Sequence, residues 1–272
     1  MSEKPWTFYT EPKFLDVQGL RTAFRRDGAG EIVVYFHGAG LTQRWLPMYA
    51  YLAKRVDLLV PEHPGFGDTP MPDWLRGMED VLVHYDEFFA QLEIEHMHIV
   101  GHSLGGWIAA KFAAWFPRRV LSLTLVTPCG IRCPEAPMYD FFRMTSDEAD
   151  EILFNGHAAE FPEYLEFGDD ETEATIQEYL ELTATARLMW NPRYDVWLER
   201  HLARVTCPAL VIGVDDDRII PREHCERYAE LLPNARLAVL SGERLPTSHV
   251  LVEEPERLAA MIADFVTAEV GS

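Results

Sequence analysis

The stretch Gly101-His102-Ser103-Leu104-Gly105-Gly106 stands between two runs of different character. Before it, His98-Ile99-Val100 is apolar and reads as the end of a buried strand. After it, Trp107 to Trp115, a run of Ile, Ala, Lys, Phe and Trp, reads as a helix. A turn that joins strand to helix this sharply drives the Ser103 backbone into a sparsely populated conformation. It also leaves no room for side chains at Gly101 and Gly105. The Ser103 hydroxyl then stands at a helix N-terminus, where unbonded N–H groups and the helix dipole favour a developing negative charge. A Gly-x-Ser-x-Gly window arises by chance in about one chain in ten of this length. The strand before it, the helix after it and the rest of the chain therefore carry the argument.

At 272 residues the chain has room for one large α/β domain with an inserted subdomain. A hydrophobic content of 48% and seven Trp supply a well-buried core. The formal charge of −20 argues against nucleic acid or an anionic membrane as a partner. The opening Met1-Ser2-Glu3-Lys4-Pro5-Trp6 has no apolar signal region, and no stretch approaches the ~20 apolar residues of a membrane span. A cytoplasmic protein is expected. Cys129, Cys133, Cys207 and Cys225 are too few and too scattered for a disulfide framework and lack zinc spacing, so they read as reduced thiols. Neither metal nor cofactor is expected.

From the N-terminus, residues 6–17 and 20–26 read as a strand pair closed by Gln18-Gly19. Glu31 to Phe36 is a third strand, ending in His37-Gly38-Ala39-Gly40, and residues 42–54 read as a helix. Val56 to Val60 is a strand stopped by Pro61, with the turn-rich His63-Pro64-Gly65-Phe66-Gly67 beyond it. Over 79–92, Val81, Leu82, Tyr85, Phe88, Phe89 and Leu92 form one apolar helical stripe. The strand Val120 to Val126 follows the Ser103 helix. Such alternation predicts a mostly parallel sheet with helices on both faces.

The alternation breaks at Thr127-Pro128-Cys129-Gly130 and resumes near Cys207. Residues 131–192 read as a helical lid, and a helix over 194–204 leads back to a core formed by 1–130 and 193–272. From 129 to 190 there are fifteen Asp and Glu against Arg132, Arg143 and Arg187, a net charge of −12. The plain account of this acidity is a solvated helical surface. If the lid covers Ser103, some of its carboxylates face the approach to the hydroxyl. The core returns with the strand Pro208 to Ile212, then Val214-Asp215-Asp216-Asp217-Arg218-Ile219-Ile220-Pro221. A helix over 221–232, a strand Arg236 to Leu240, the loop at Ser248-His249 and a last helix from Pro255 complete the chain.

A serine hydroxyl needs a base to become a nucleophile, and the base needs an orienting carboxylate. Ser103, an acid from 215–217 and His249 supply these groups in the order Ser, Asp, His, each beyond the C-terminal end of a strand.

With these residues in place the chain resembles the α/β-hydrolase family, in its large single-domain group with a helical lid. The resemblance rests on His37-Gly38-Ala39-Gly40, Gly65-Phe66-Gly67, the elbow at Ser103, the Asp-to-Pro221 segment and His249 to Pro255. It implies an eight-stranded sheet and an oxyanion hole made by the backbone N–H groups of Ala39 and Leu104. In that family the acid stands three residues after a strand-ending Gly and four before a Pro. Here Gly213 points to Asp216 and Pro221 to Asp217. Asp217 is preferred because Asp217-Arg218-Ile219-Ile220-Pro221 matches without a gap, and Asp216 is the alternative. Ser248 replaces the Gly that usually precedes the histidine. His37 and His102 are expected to position loops, and His63, His84, His96, His98, His157 and His201 to be structural or superficial.

The function expected is cofactor-free hydrolysis of a small, neutral carboxylic ester through an acyl-enzyme, in the manner of a carboxylesterase. A serine at 103 argues against the epoxide hydrolases and haloalkane dehalogenases of this scaffold. Alternatives are carbon–carbon bond hydrolysis of the meta-cleavage product type, a lactonase, an amidase or perhydrolase, and a ligand receptor without catalysis. A lid at −12 is a poor host for an anionic dienoate. A small-molecule partner is expected, and a homodimer is left open.

Overall fold

Eight strands carry the fold in the computed structural model, which describes residues 7–165, 171–242 and 247–270. In chain order they are β1 (Lys13–Val17), β2 (Leu20–Gly28), β3 (Ile32–Phe36), β4 (Asp57–Pro61), β5 (Met97–His102), β6 (Val120–Val126), β7 (Ala209–Val214) and β8 (Ala235–Leu240). They form one sheet in the order β1-β2-β4-β3-β5-β6-β7-β8. β2 runs antiparallel to β1 and β4, and every other pairing is parallel. The sheet is mostly parallel, as the sequence predicts.

Side-chain alternation along the strands builds two cores. In β3, Val34 and Phe36 face one side, while Val33 and Tyr35 face the other. The first side is covered by α2 (Met78–Gln91), α3 (Leu104–Trp115) and α8 (Arg222–Leu231). The second is covered by α1 (Pro47–Ala53), α9 (Val250–Glu253) and α10 (Pro255–Val270). The α2 stripe buries Val81, Leu82, Tyr85, Phe88 and Phe89 against the sheet. Burial of each such side chain stabilises by about 1.5–3 kcal/mol.

Three elements are shorter than expected, each for a local reason. β1 starts at Lys13 rather than near residue 6, because Pro12 has no N–H to give a ladder. The helix expected over 42–54 begins at Pro47, since Leu41 and Gln43 hold positive φ angles of 55° and 63°. The helix expected over 194–204 is α7 (Leu198–Leu202); Asp195 takes the Trp197 amide at 2.8 Å and turns the chain before it.

Between β6 and β7 lie α4 (Ser146–Phe154), α5 (Pro162–Leu165), α6 (Glu171–Met189) and α7, with no strand among the described residues. Phe154 and Tyr164 pack into one core, Ala184, Leu188 and Met189 into the other. Strand order then places the site. From β3 the chain moves outward to β4 and crosses back to β5 on β3's other side, so Phe36 pairs with Gly101. The loops after β3 and β5 are thus neighbours at a point where the winding reverses, and a crevice opens there.

Candidate active site

Ser103 adopts φ 52° and ψ −115° between β5 and α3. That conformation costs about 1–3 kcal/mol in a non-glycine residue and persists only where the surroundings impose it. They do so through backbone bonds. The Ser103 amide donates to Val126 at 3.0 Å, and its carbonyl accepts from Gly106, Trp107 and Cys129. Close approach does the rest. A Cβ at Gly101 would lie 2.3 Å from the Gly105 carbonyl oxygen, and one at Gly105 only 2.0 Å from that of Phe36.

His102 donates from Nε2 to the Ser248 carbonyl at 2.7 Å. Burial pulls its pKa down to about 4, so the ring is neutral and its role is positional. His37 behaves likewise, its pKa also near 4 through burial. Its Nδ1 donates to Gly38 O at 2.7 Å and its Nε2 accepts the His63 amide at 3.1 Å. His63 stacks on it at 3.8 Å, gives Nε2–H to the His37 carbonyl and takes the Tyr85 hydroxyl on Nδ1. The turn 37–40 therefore rests on two neutral, fully bonded imidazoles. It presents the Ala39 amide, and α3 presents the Leu104 amide; neither donates to a backbone acceptor among the described residues.

The two candidate acids differ sharply. Asp216 is partly exposed and taken up by Asn155 at 2.8 Å and Arg218 at 3.3 Å. Asp217 is 8% exposed, and its Oδ1 accepts the amides of Ile219 at 2.9 Å and Ile220 at 2.7 Å. Its Oδ2 is buried without a partner, and so is Nδ1 of His249. No hydrogen bond links the side chains of Ser103, His249 and Asp217 in this structure. Loss of water pushes the Asp217 pKa up to about 7 and the His249 pKa down to about 4. Placing imidazole N–H against carboxylate would oppose both shifts, because each ion would then have its counter-charge. Phe154 of α4 packs on the His249 ring at 4.7 Å.

Ser103, His249, Ala39 and Leu104 line one cavity of about 340 Å³. Met138, Phe141, Met144, Met189, Ile219 and Ile220 make much of its wall apolar. Thr42, Arg44, Gln177 and Glu181 make a polar part. Asp216 and Asp217 do not reach it, although Ile219 and Ile220 beside Asp217 do. Sequence reasoning missed Arg44 and Glu181. On α6, Gln177, Glu181 and Thr185 recur at i, i+4 and i+8, a polar stripe that sequence cannot tell from a solvated face. Among the described acids of 131–192, Glu178 and Glu181 line the cavity. The Arg44 guanidinium donates to Tyr164 O at 3.0 Å; burial lowers its pKa to about 10, which leaves it charged at neutral pH. Among the described residues no group of three or more His, Cys, Asp or Glu could hold a metal ion, and no helix is long and apolar enough to cross a membrane.

A model of the alpha/beta hydrolase family matches residues 33–261, and the chain belongs to that family. A 2-hydroxy-6-oxo-2,4-heptadienoate hydrolase of Pseudomonas putida is 25% identical, over 92% of this chain and 94% of its own. A meta-cleavage product hydrolase from Pseudomonas fluorescens superposes with a TM-score of 0.74 at 21% identity, covering 94% of this chain and 97% of its own. A thermophilic esterase from Thermogutta terrifontis superposes with a TM-score of 0.72 at 20% identity, covering 96% and 99%. At those identities the solved structures speak for the fold alone.

Proposed function

We propose that this alpha/beta hydrolase is a serine hydrolase that cleaves a neutral carboxylic ester through an acyl-enzyme. The observation that carries the reading is the shared cavity: a strained serine, a half-buried neutral histidine and two open amides line one largely apolar space. His249 takes the Ser103 proton as the hydroxyl attacks the carbonyl, and returns it to the leaving alcohol. The amides of Ala39 and Leu104 receive the oxyanion. Asp217 Oδ2 accepts from His249 Nδ1–H, holds the tautomer and stabilises the imidazolium. That pairing requires a side-chain movement from the arrangement described, and it gives each buried orphan atom the partner it lacks. Residues 131–192 act in this reading as the lid over the site.

Two observations favour a second reading, hydrolysis of a carbon–carbon bond in an anionic dienoate. Arg44 places a buried positive charge in the cavity wall, and a relative over most of the chain is named for such a substrate. Labelling of Ser103 by a fluorophosphonate, absent in Ser103→Ala, tests the nucleophile common to both. Turnover of p-nitrophenyl esters of graded length, beside a lactone and a dienoate, then separates them. No labelling of the wild type would sink both readings.

A further inference from the structure

The cavity holds a buried carboxylate that the chemistry above leaves unused. Glu181, on α6 and 7% exposed, turns its Oε1 toward two loops of the core. That oxygen accepts the hydroxyl of Thr42, the amide of Gly67 at 3.2 Å and the side-chain amide of Gln177 at 2.9 Å. Gln177 also reaches the Gly67 carbonyl at 3.4 Å. One atom of the inserted helix thus ties the loop after β3 to the loop after β4.

The loop after β3 needs such a tie. Gly40, Leu41 and Gln43 have φ of 82°, 55° and 63°, and two of the three are not glycine. A backbone in that state relaxes unless neighbours determine it. From inside, Glu62 accepts the Gln43 amide at 2.9 Å and the Arg25 guanidinium at 2.5 Å, and it also takes the Asp68 amide. From the α6 side the hold on Thr42 is Glu181. The same loop carries the Ala39 amide, three residues before Thr42.

We infer that Glu181 is a positioning residue for the oxyanion hole: seated on Thr42 and Gly67, it fixes the turn that aims the Ala39 N–H at the reacting carbonyl. The inference rests on the reading of Ser103 as nucleophile and of Ala39 as oxyanion donor. It makes the insertion part of the catalytic geometry as well as of the cavity wall. A carboxylate there does not oppose the oxyanion strongly, because three donors converge on Oε1 and the Arg44 guanidinium lines the same cavity.

The test compares E181L, which removes the acceptor, E181Q, which keeps one, T42V, which removes the donor, and the double variant T42V/E181L. The primary readout is the rate constant of Ser103 labelling by a fluorophosphonate, in which fluoride leaves as the phosphonyl oxygen enters the oxyanion hole. It works whichever bond the enzyme cleaves. Kcat and KM on the best p-nitrophenyl ester, with thermal melts to confirm folding, accompany it. E181L and T42V should each slow labelling and kcat about 10- to 100-fold, with KM within about threefold. E181Q should recover most of the loss, and the double variant should be no worse than E181L, since E181L already removes the Thr42 contact that T42V deletes. An E181L rate equal to wild type, a change in KM alone, or additive losses would overturn the inference while leaving Ser103 as nucleophile. A wild type that takes no label overturns both. If E181L does not fold, failure of T42V to slow labelling overturns it equally.

Discussion

His102 and Ser248, 146 positions apart in sequence, are joined by a 2.7 Å hydrogen bond from imidazole Nε2 to carbonyl oxygen. Each immediately precedes a residue of the proposed triad, so this bond sets how far Ser103 stands from His249. Both groups are buried, so neither can exchange its partner for water.

His102→Leu should therefore strand the Ser248 carbonyl, at a cost of about 1–3 kcal/mol. Thermal melts should show the loss of stability, and kcat should fall more than KM rises because the base drifts from the hydroxyl. A variant with lowered Tm but unchanged kcat would make the bond purely structural.

The choice of acid can be read kinetically. Asp217→Asn should lower kcat about 10⁴-fold through the wrong imidazole tautomer. Asp216→Asn, which disturbs only a contact to Asn155 and Arg218, should be mild. The opposite ranking would transfer the role to Asp216.

Stability should fall on mild acidification. His37, His84, His102 and His249 have pKa values near 4 through burial, so across the span from ~6.5 to 4 the unfolded chain binds protons that the folded one refuses. Their contribution is complete above ~6.5 and is lost as pH falls toward 4. Asp217 and Glu62, raised by burial to about 7, work in the opposite direction, since the native state gains protons there first. Burial also raises Glu181 and lowers His63, His98 and His224, so seven histidines outweigh three acids and Tm should drop between pH 6.5 and 4.5. A Tm that rises over that span would show the three acids dominating.

The charge of the insertion predicts selectivity by substrate sign. Neutral esters should show a higher kcat/KM than carboxylate-bearing analogues of equal size. The gap should narrow from ~0.02 to ~0.5 M salt, because screening acts over about 10 Å at 0.1 M. An anionic dienoate that outperforms every neutral ester at low salt would put Arg44 in charge and favour the carbon–carbon reading.

The order of strands and helices, the sharp turn at Ser103 and the tight approaches at Gly101 and Gly105 were legible in the chain itself. These features are local: apolar periodicity selects the element, and steric room at a turn selects glycine. The match to the Pro221 segment already favours Asp217. Only the tertiary structure added that Asp217 is buried on backbone amides while Asp216 is partly exposed beside Asn155 and Arg218, a difference residue type does not carry. It likewise decided that His63 stacks beneath the turn at His37, and that Arg44 and Glu181 face the cavity. Whether a polar side chain on an inserted helix looks inward depends on where that helix docks on the core. That docking is set by contacts between residues more than a hundred positions apart, and no local pattern encodes them.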